Sequence, residues 1–210
     1  MSAAAGSALD MRSSQAARRE HILDAAEACF VRNGFHRTTM QDLAREAAMS
    51  PGNIYRYFES KEAVVRGLAE RDRERGTVLV AEMELAGDRR GALLRILGRY
   101  FTEITREAAI LRIDLWSEAT RNPDIAALVE SGEAEARLCL TETFAALATA
   151  PDCDPHALYA RVSPLMKGIL VNRALLPGYE PAPAIAHLLA QIEAALTGCR
   201  PVGADPETGR

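Results

Sequence analysis

No run of 18 or more apolar residues occurs in the 210-residue chain, so no segment reads as a membrane span. The first residues, MSAAAGSALDMRSS, lack the basic start and following apolar stretch of a secretory signal, and the cytoplasm is the expected location. Cysteine is scarce. Cys29, Cys139, Cys153 and Cys199 are scattered, and none has a Cys or His at zinc-site spacing, so reduced, mostly buried thiols and no metal are expected. The histidines His21, His36, His156 and His187 are equally dispersed. Nucleophile-elbow, phosphate-loop, His-Glu-x-x-His and dinucleotide glycine patterns are all missing, which argues against an enzyme and predicts no cofactor. Asp154 and His156 lie close together, but at the start of a helical pattern, where Asp154 reads most simply as an N-cap.

Charge of one sign is also lacking where a polyanion partner would need it. The chain carries a net −4. Residues 1–75 hold 12 basic and 11 acidic side chains, the remainder 13 and 18, so any nucleic-acid surface belongs to the N-terminal third. The alternating run ERDRERG at 70–76 reads as intrahelical pairing on a solvated face.

What is present is helix. With 48% hydrophobic and 26% charged residues, the chain can bury a core and divide into one small and one larger domain. No period-two alternation of strands is found, and the expected class is all-α. ARREHILDAAEACFVRNGF puts Ile22, Ala25, Ala26, Cys29 and Phe30 on one face and stops at Asn33-Gly34, a C-cap signal. Thr38 or Thr39 starts a short second helix, with Gln41 or Asp42 as capping-box partner and Met40, Leu43, Ala44 and Ala47 facing inward. Ser50 caps a third helix with Pro51 at its first position, and Ile54 and Phe58 point inward. Ser60 caps a long fourth. Further helices are expected over 60–86, 89–107, 109–120, 123–149, 155–176 and 182–197, with Ser163-Pro164 bending or interrupting one of them. The expected domains are 13–60 and 61–198, with loose tails at 1–12 and 199–210.

Two short helices joined by a tight link form a helix-turn-helix, whose second helix enters the DNA major groove. Close approach needs small side chains at its start, which Gly52 supplies, while Asn53 offers an amide to a base edge. Tyr55 and Tyr57 carry stiff bodies with polar tips suited to phosphates, or else are half-buried core aromatics. Lys61 would add its charge to the positive end of the fourth helix. His36 and Arg37 are weaker candidates.

At these residues the chain resembles the TetR family of bacterial transcriptional regulators, in CFVRNGFHRTT, LAREAAMS and NIYRYFESK. The likeness is dense over about 18–65 and only architectural beyond. It departs from the family at Ala48, where a turn glycine is usual; a positive φ there would be tolerated less well. The resemblance implies base reading by Pro51, Gly52, Asn53 and Arg56, and phosphate contacts from Thr38 or Thr39, Tyr55, Tyr57 and Lys61. It also implies a homodimeric repressor on a palindromic double-stranded DNA operator, released by a small-molecule effector of apolar or amphipathic character. The alternative is the same fold controlled by a protein partner.

Two features of the C-terminal part fit that picture. The stripes Leu158, Val162, Leu165, Met166, Ile169, Leu170 and Ile185, Leu188, Leu189, Ile192, Leu196 exceed what one core needs, which predicts a four-helix interface between two chains. Aromatics cluster at Tyr100, Phe101, Trp116, Phe144 and Tyr159. The expected pocket is walled by Trp116 and lined by Phe101, Ile113, Cys139, Phe144 and Met166, with Arg112 or Asp114 as polar determinants.

Overall fold

The computed structural model of the protein describes residues 3–198. All regular structure among them is helical: α1 (Ala3–Asn33), α2 (Met40–Glu46), α3 (Pro51–Tyr55), α4 (Lys61–Glu84), α5 (Arg89–Glu103), α6 (Arg106–Ala119), α7 (Pro123–Leu147), α8 (Pro155–Leu175) and α9 (Ala182–Thr197).

Two of these ranges correct the sequence reading. α1 runs back to Ala3, so most of the stretch expected as a loose N-terminal tail is helical. Its alanine-rich sequence has high helix propensity and no proline to stop it. The tail expected beyond 198 lies outside the described residues. α8 is continuous through Pro164. The missing proline N–H costs one helical bond, and the partner that loses it, the carbonyl of Ala160, belongs to an exposed residue that water can satisfy.

The chain forms two compact units, which differ from the expected division at 60/61. One contains the described residues up to Glu74 together with Leu111–Val129, the other Arg75–Ile110 and Glu130 onward. The first closes around Ile22, Leu23, Ala26, Phe30, Phe35, Leu43, Ile54, Phe58 and Val64, all at most 2% exposed, and Leu111 at 8% and Ile125 at 0% join from α6 and α7. Each large side chain buried this way contributes about 1.5–3 kcal/mol. This is why helices of 7 and 5 residues persist, too short to be stable alone: Leu43 and Ile54 anchor them.

The second unit packs α9 against α5 and α8. Phe101, Phe144, Leu158, Val162, Ile169, Ile185, Leu188, Ile192 and Leu196 are among its buried apolar residues. Leu165 and Met166, on the surplus stripe of α8, stay half-covered, a Cβ on Gly168 would meet open space, and Leu175 and Leu176 are 63% and 52% exposed. Among the described residues no helix is long and apolar enough to cross a membrane, and no group of three His, Cys, Asp or Glu could hold a metal.

Candidate nucleic-acid interface

Local chemistry sets the two short helices. Thr39 caps α2 in a reciprocal box: its Oγ accepts from Asp42 N at 3.2 Å, and its own N–H donates to Asp42 Oδ2 at 3.0 Å. The Thr39 hydroxyl, which donates to Asp42 Oδ2, and then the Thr39 N–H hold the Asp42 carboxyl below the usual carboxylate range. α2 then ends in a full left-handed cap: Met49 N–H reaches Ala44 O at 2.9 Å and Ala48 N–H reaches Arg45 O at 3.2 Å. The residue at the left-handed position is Ala48, φ 51, so an L side chain occupies a conformation that favours glycine. Ser50 Oγ accepts from Asn53 N at 3.3 Å and Pro51 opens α3.

α3 presents an outward face. Pro51, Gly52, Tyr55 and Arg56 are exposed, Tyr55 by 54%, and nothing lies within 4 Å of a Cβ built on Gly52. Asn53 is half-buried, and its Oδ1 accepts from Arg56 Nη1 at 3.4 Å, so amide and guanidinium form one donor-rich pair. An amide and a guanidinium on a short, open helix can make bidentate contacts to base edges, and an exposed tyrosine hydroxyl can reach a phosphate.

The other expected contacts are disposed differently. Thr38 is fully buried, and its hydroxyl donates to Gly34 O at 2.8 Å; it braces the α1–α2 turn and offers nothing to a phosphate. Thr39 is exposed, but its hydroxyl hydrogen is committed to Asp42 Oδ2 at 2.7 Å. Tyr57 is half-buried against the core, whereas Tyr55 is exposed. Lys61 Nζ donates to the carbonyls of Phe35 at 2.9 Å and His36 at 3.2 Å and lies 4.5 Å over the Phe35 ring, leaving one N–H for any phosphate. His36 and Arg37 are exposed.

Sequence reasoning missed the residues that anchor this motif. Arg71, inside ERDRERG, is 7% exposed and turns to α1. It meets Asp24 and Glu27 at 2.7 Å and Glu20 at 3.5 Å, all on α1, and its neighbour Glu70 pairs with Arg19 at 2.8 Å. The available signal was the stripe Glu20, Asp24, Glu27, whose like charges at helical spacing repel unless a cation comes from elsewhere. His21 Nε2 lies 2.9 Å from Ala47 O, tying α1 to the end of α2.

The expected ligand residues are not gathered within one unit. Arg112, Ile113 and Trp116, all half-buried, fall in the first; Phe101, Cys139, Phe144 and Met166 fall in the second. Phe101 and Phe144 are packed at 3% and 0% exposure, whereas Cys139 is exposed and Met166 half-buried. Cys29 is buried and Cys153 intermediate, so the thiols are less uniformly buried than expected; Cys199 lies outside the described residues. A cleft of about 320 Å³ in the second unit is lined by Glu82, Ala86, Ala92, Arg95, Ile96 and Arg99, none of them in the expected set.

Residues 22–68 match the family profile of bacterial regulatory proteins of the tetR family, and residues 89–197 match that of the C-terminal region of BetI-type transcriptional repressors. The chain belongs to the TetR family of DNA-binding transcriptional regulators. It is 31% identical over 116 residues to the helix-turn-helix regulator UidR of Escherichia coli K12, a match spanning 54% of this chain and 57% of that relative's length. Salmonella enterica GusR shares its fold, with a TM-score of 0.69, 24% identity and coverage of 85% and 95% of the two chains. A Saccharomonospora viridis protein classed as a transcriptional regulator, solved in complex with choline, superimposes with a TM-score of 0.69 at 25% identity, covering 83% of this chain and 95% of that one.

Proposed function

We propose that this protein is a cytoplasmic repressor that grips a palindromic operator as a homodimer and lets go when a small apolar or amphipathic molecule binds. The observation that carries the operator part is the open face of α3, where Gly52 leaves room for a close approach and Asn53 and Arg56 stand together. Half-covered Leu165 and Met166 beside the open Gly168 support a second copy packing on α8. The match to BetI-type repressors supports repression, and choline in the S. viridis protein supports a small organic molecule as effector. Release requires that the effector prefer the DNA-incompetent arrangement, not merely that it bind.

A second reading, control by a protein partner, is favoured by the tight packing of Phe101 and Phe144 where a pocket was expected. The test is to select duplexes from random DNA with the purified protein, footprint them, and titrate choline and longer amphipathic compounds against the selected duplex. The expected footprint has two half-sites roughly 34–36 Å apart, the generic helix-turn-helix spacing. A footprint with no second half-site would remove the dimeric operator, and duplex affinity indifferent to every compound would favour the protein partner.

A further inference from the structure

The two helix ends in the DNA-binding unit close differently. At the end of α2 both bonds of the left-handed cap are made within the backbone. At the end of α1, Gly34 sits at φ 77 and its N–H reaches Phe30 O at 2.8 Å, but this is the single-bond form of the cap, and it leaves the next N–H, that of Phe35, with no helix carbonyl. That N–H donates to Oδ2 of Asp114, which comes from α6, 79 residues further along. The carbonyl of the same residue accepts from Lys61 on α4. Phe35 is therefore held by its N–H, its C=O and its ring through side chains that lie outside α1, α2 and α3. At 2% exposure, it has little water to replace either partner.

From this turn a chain of bonds leads to the recognition helix. The Gly34 carbonyl accepts from the Thr38 hydroxyl, and Thr39 caps α2, which packs directly on α3. We propose that Asp114 is a positioning residue for operator binding. It fixes the α1–α2 turn from α6, and through that turn the presentation of α3, without touching DNA. Asp114 belongs to the same compact unit as the turn it holds. The inference needs DNA binding and no particular effector.

The experiment compares wild type, Asp114→Ala and Asp114→Asn in the full chain, on a duplex selected by the wild type and on an unrelated duplex of equal length. Amide hydrogen exchange over residues 34–38 is followed in parallel. Asp114→Ala should weaken the selected duplex about tenfold and raise exchange at Phe35, the loss of one buried hydrogen bond. Binding to the unrelated duplex should stay within about twofold, with an unchanged salt slope, since no phosphate contact is removed. Asp114→Asn keeps a carbonyl oxygen that can accept the same bond, and should restore both affinity and protection. Wild-type affinity and exchange in the alanine variant would overturn the proposal. So would equal losses on both duplexes, which mark general destabilisation, or an asparagine variant as weak as alanine, which would make the charge and not the bond responsible.

Discussion

The DNA-binding unit and the unit built on α5, α8 and α9 are held together by different chemistry. In the first, charged and polar side chains reach across long sequence separations: Arg71 to three carboxylates of α1, Asp114 and Lys61 to the α1–α2 turn, His21 to the end of α2. In the second, long helices bury aliphatic stripes; Arg173 donates to the Phe101 and Thr102 carbonyls at the end of α5, and the ion pairs Lys167–Glu133 at 2.6 Å and Arg99–Glu82 at 2.7 Å sit nearer the surface. At the α1–α2 turn and α3 helix length explains the contrast, whereas the Arg71 cluster joins α1 and α4, both of them long. A helix of 21 or 16 residues, like α8 and α9, propagates its own hydrogen bonds and needs only a face to bury. A 5-residue helix such as α3 has almost no internal bonds, so its orientation must be imposed by caps and by side chains from elsewhere.

The largest effect that tests this contrast belongs to the apolar unit. Phe144 is fully buried, and Phe144→Ala should cost about 3–5 kcal/mol in urea denaturation. A loss below about 1 kcal/mol would mean that the space around this ring is already loosely filled, contrary to its burial, and would revive the pocket expected there from the sequence.

Next comes Arg71→Met, which leaves Glu20, Asp24 and Glu27 facing a buried position without their cation. Breaking a buried pair costs about 3–5 kcal/mol, and because these carboxylates keep much of their water the expected loss is about 2–3 kcal/mol. Lys167→Ala, which cuts a pair exposed on both sides, should lose less than about 1 kcal/mol. Equal losses in the two variants would break the distinction between the units.

The same division governs what could be read from the sequence. Signals that act within four residues were legible: Asn33-Gly34 as a stop, Thr39 with Asp42 as a box, Ser50-Pro51 as a start, Asp154 as the cap of α8. Helix existence in the C-terminal part followed from apolar periodicity. Partners far apart in sequence were not legible. Arg71 sits in a run whose alternating charges suggest pairing along α4, and only packing against α1 selects the carboxylates it meets. Tyr55 and Tyr57 are two residues apart with the same chemistry, and the end of α3 between them sends one outward and the other against the core. Aromatic content marks a place to bury surface, and Phe101 and Phe144 are buried at 3% and 0% exposure.

On the open face of the DNA-binding unit the expected effect is smaller and of another kind. Asn53→Ala should alter preference at one base position by about 1–2 kcal/mol while leaving binding to unrelated DNA nearly unchanged. Competition between the selected duplex and its single-position variants measures this. A uniform loss on every sequence would place Asn53 on the backbone instead.

The smallest expected effect is a gain, at the turn where the DNA-binding unit departs from glycine. Ala48 holds φ 51 with its side chain exposed, so its methyl group packs on little and stands in the way of the favoured conformation. The left-handed region costs an L residue about 1–2 kcal/mol, and glycine avoids this, but glycine also enlarges the unfolded ensemble by roughly 0.5–1 kcal/mol. The difference predicts that Ala48→Gly stabilises the protein by about 0.5–1 kcal/mol. Gly34→Ala supplies the mirror experiment: at φ 77 a Cβ there would stand 3.6 Å from the Asp114 carboxylate, ordinary contact distance, so no clash adds to the conformational cost. Its loss should be about 1 kcal/mol by the same argument. Both are read from urea midpoints at constant slope. If Ala48→Gly were instead destabilising, the exposed methyl would have to be making a contact that this turn does not provide, and the two left-handed caps would not be governed by the same conformational term.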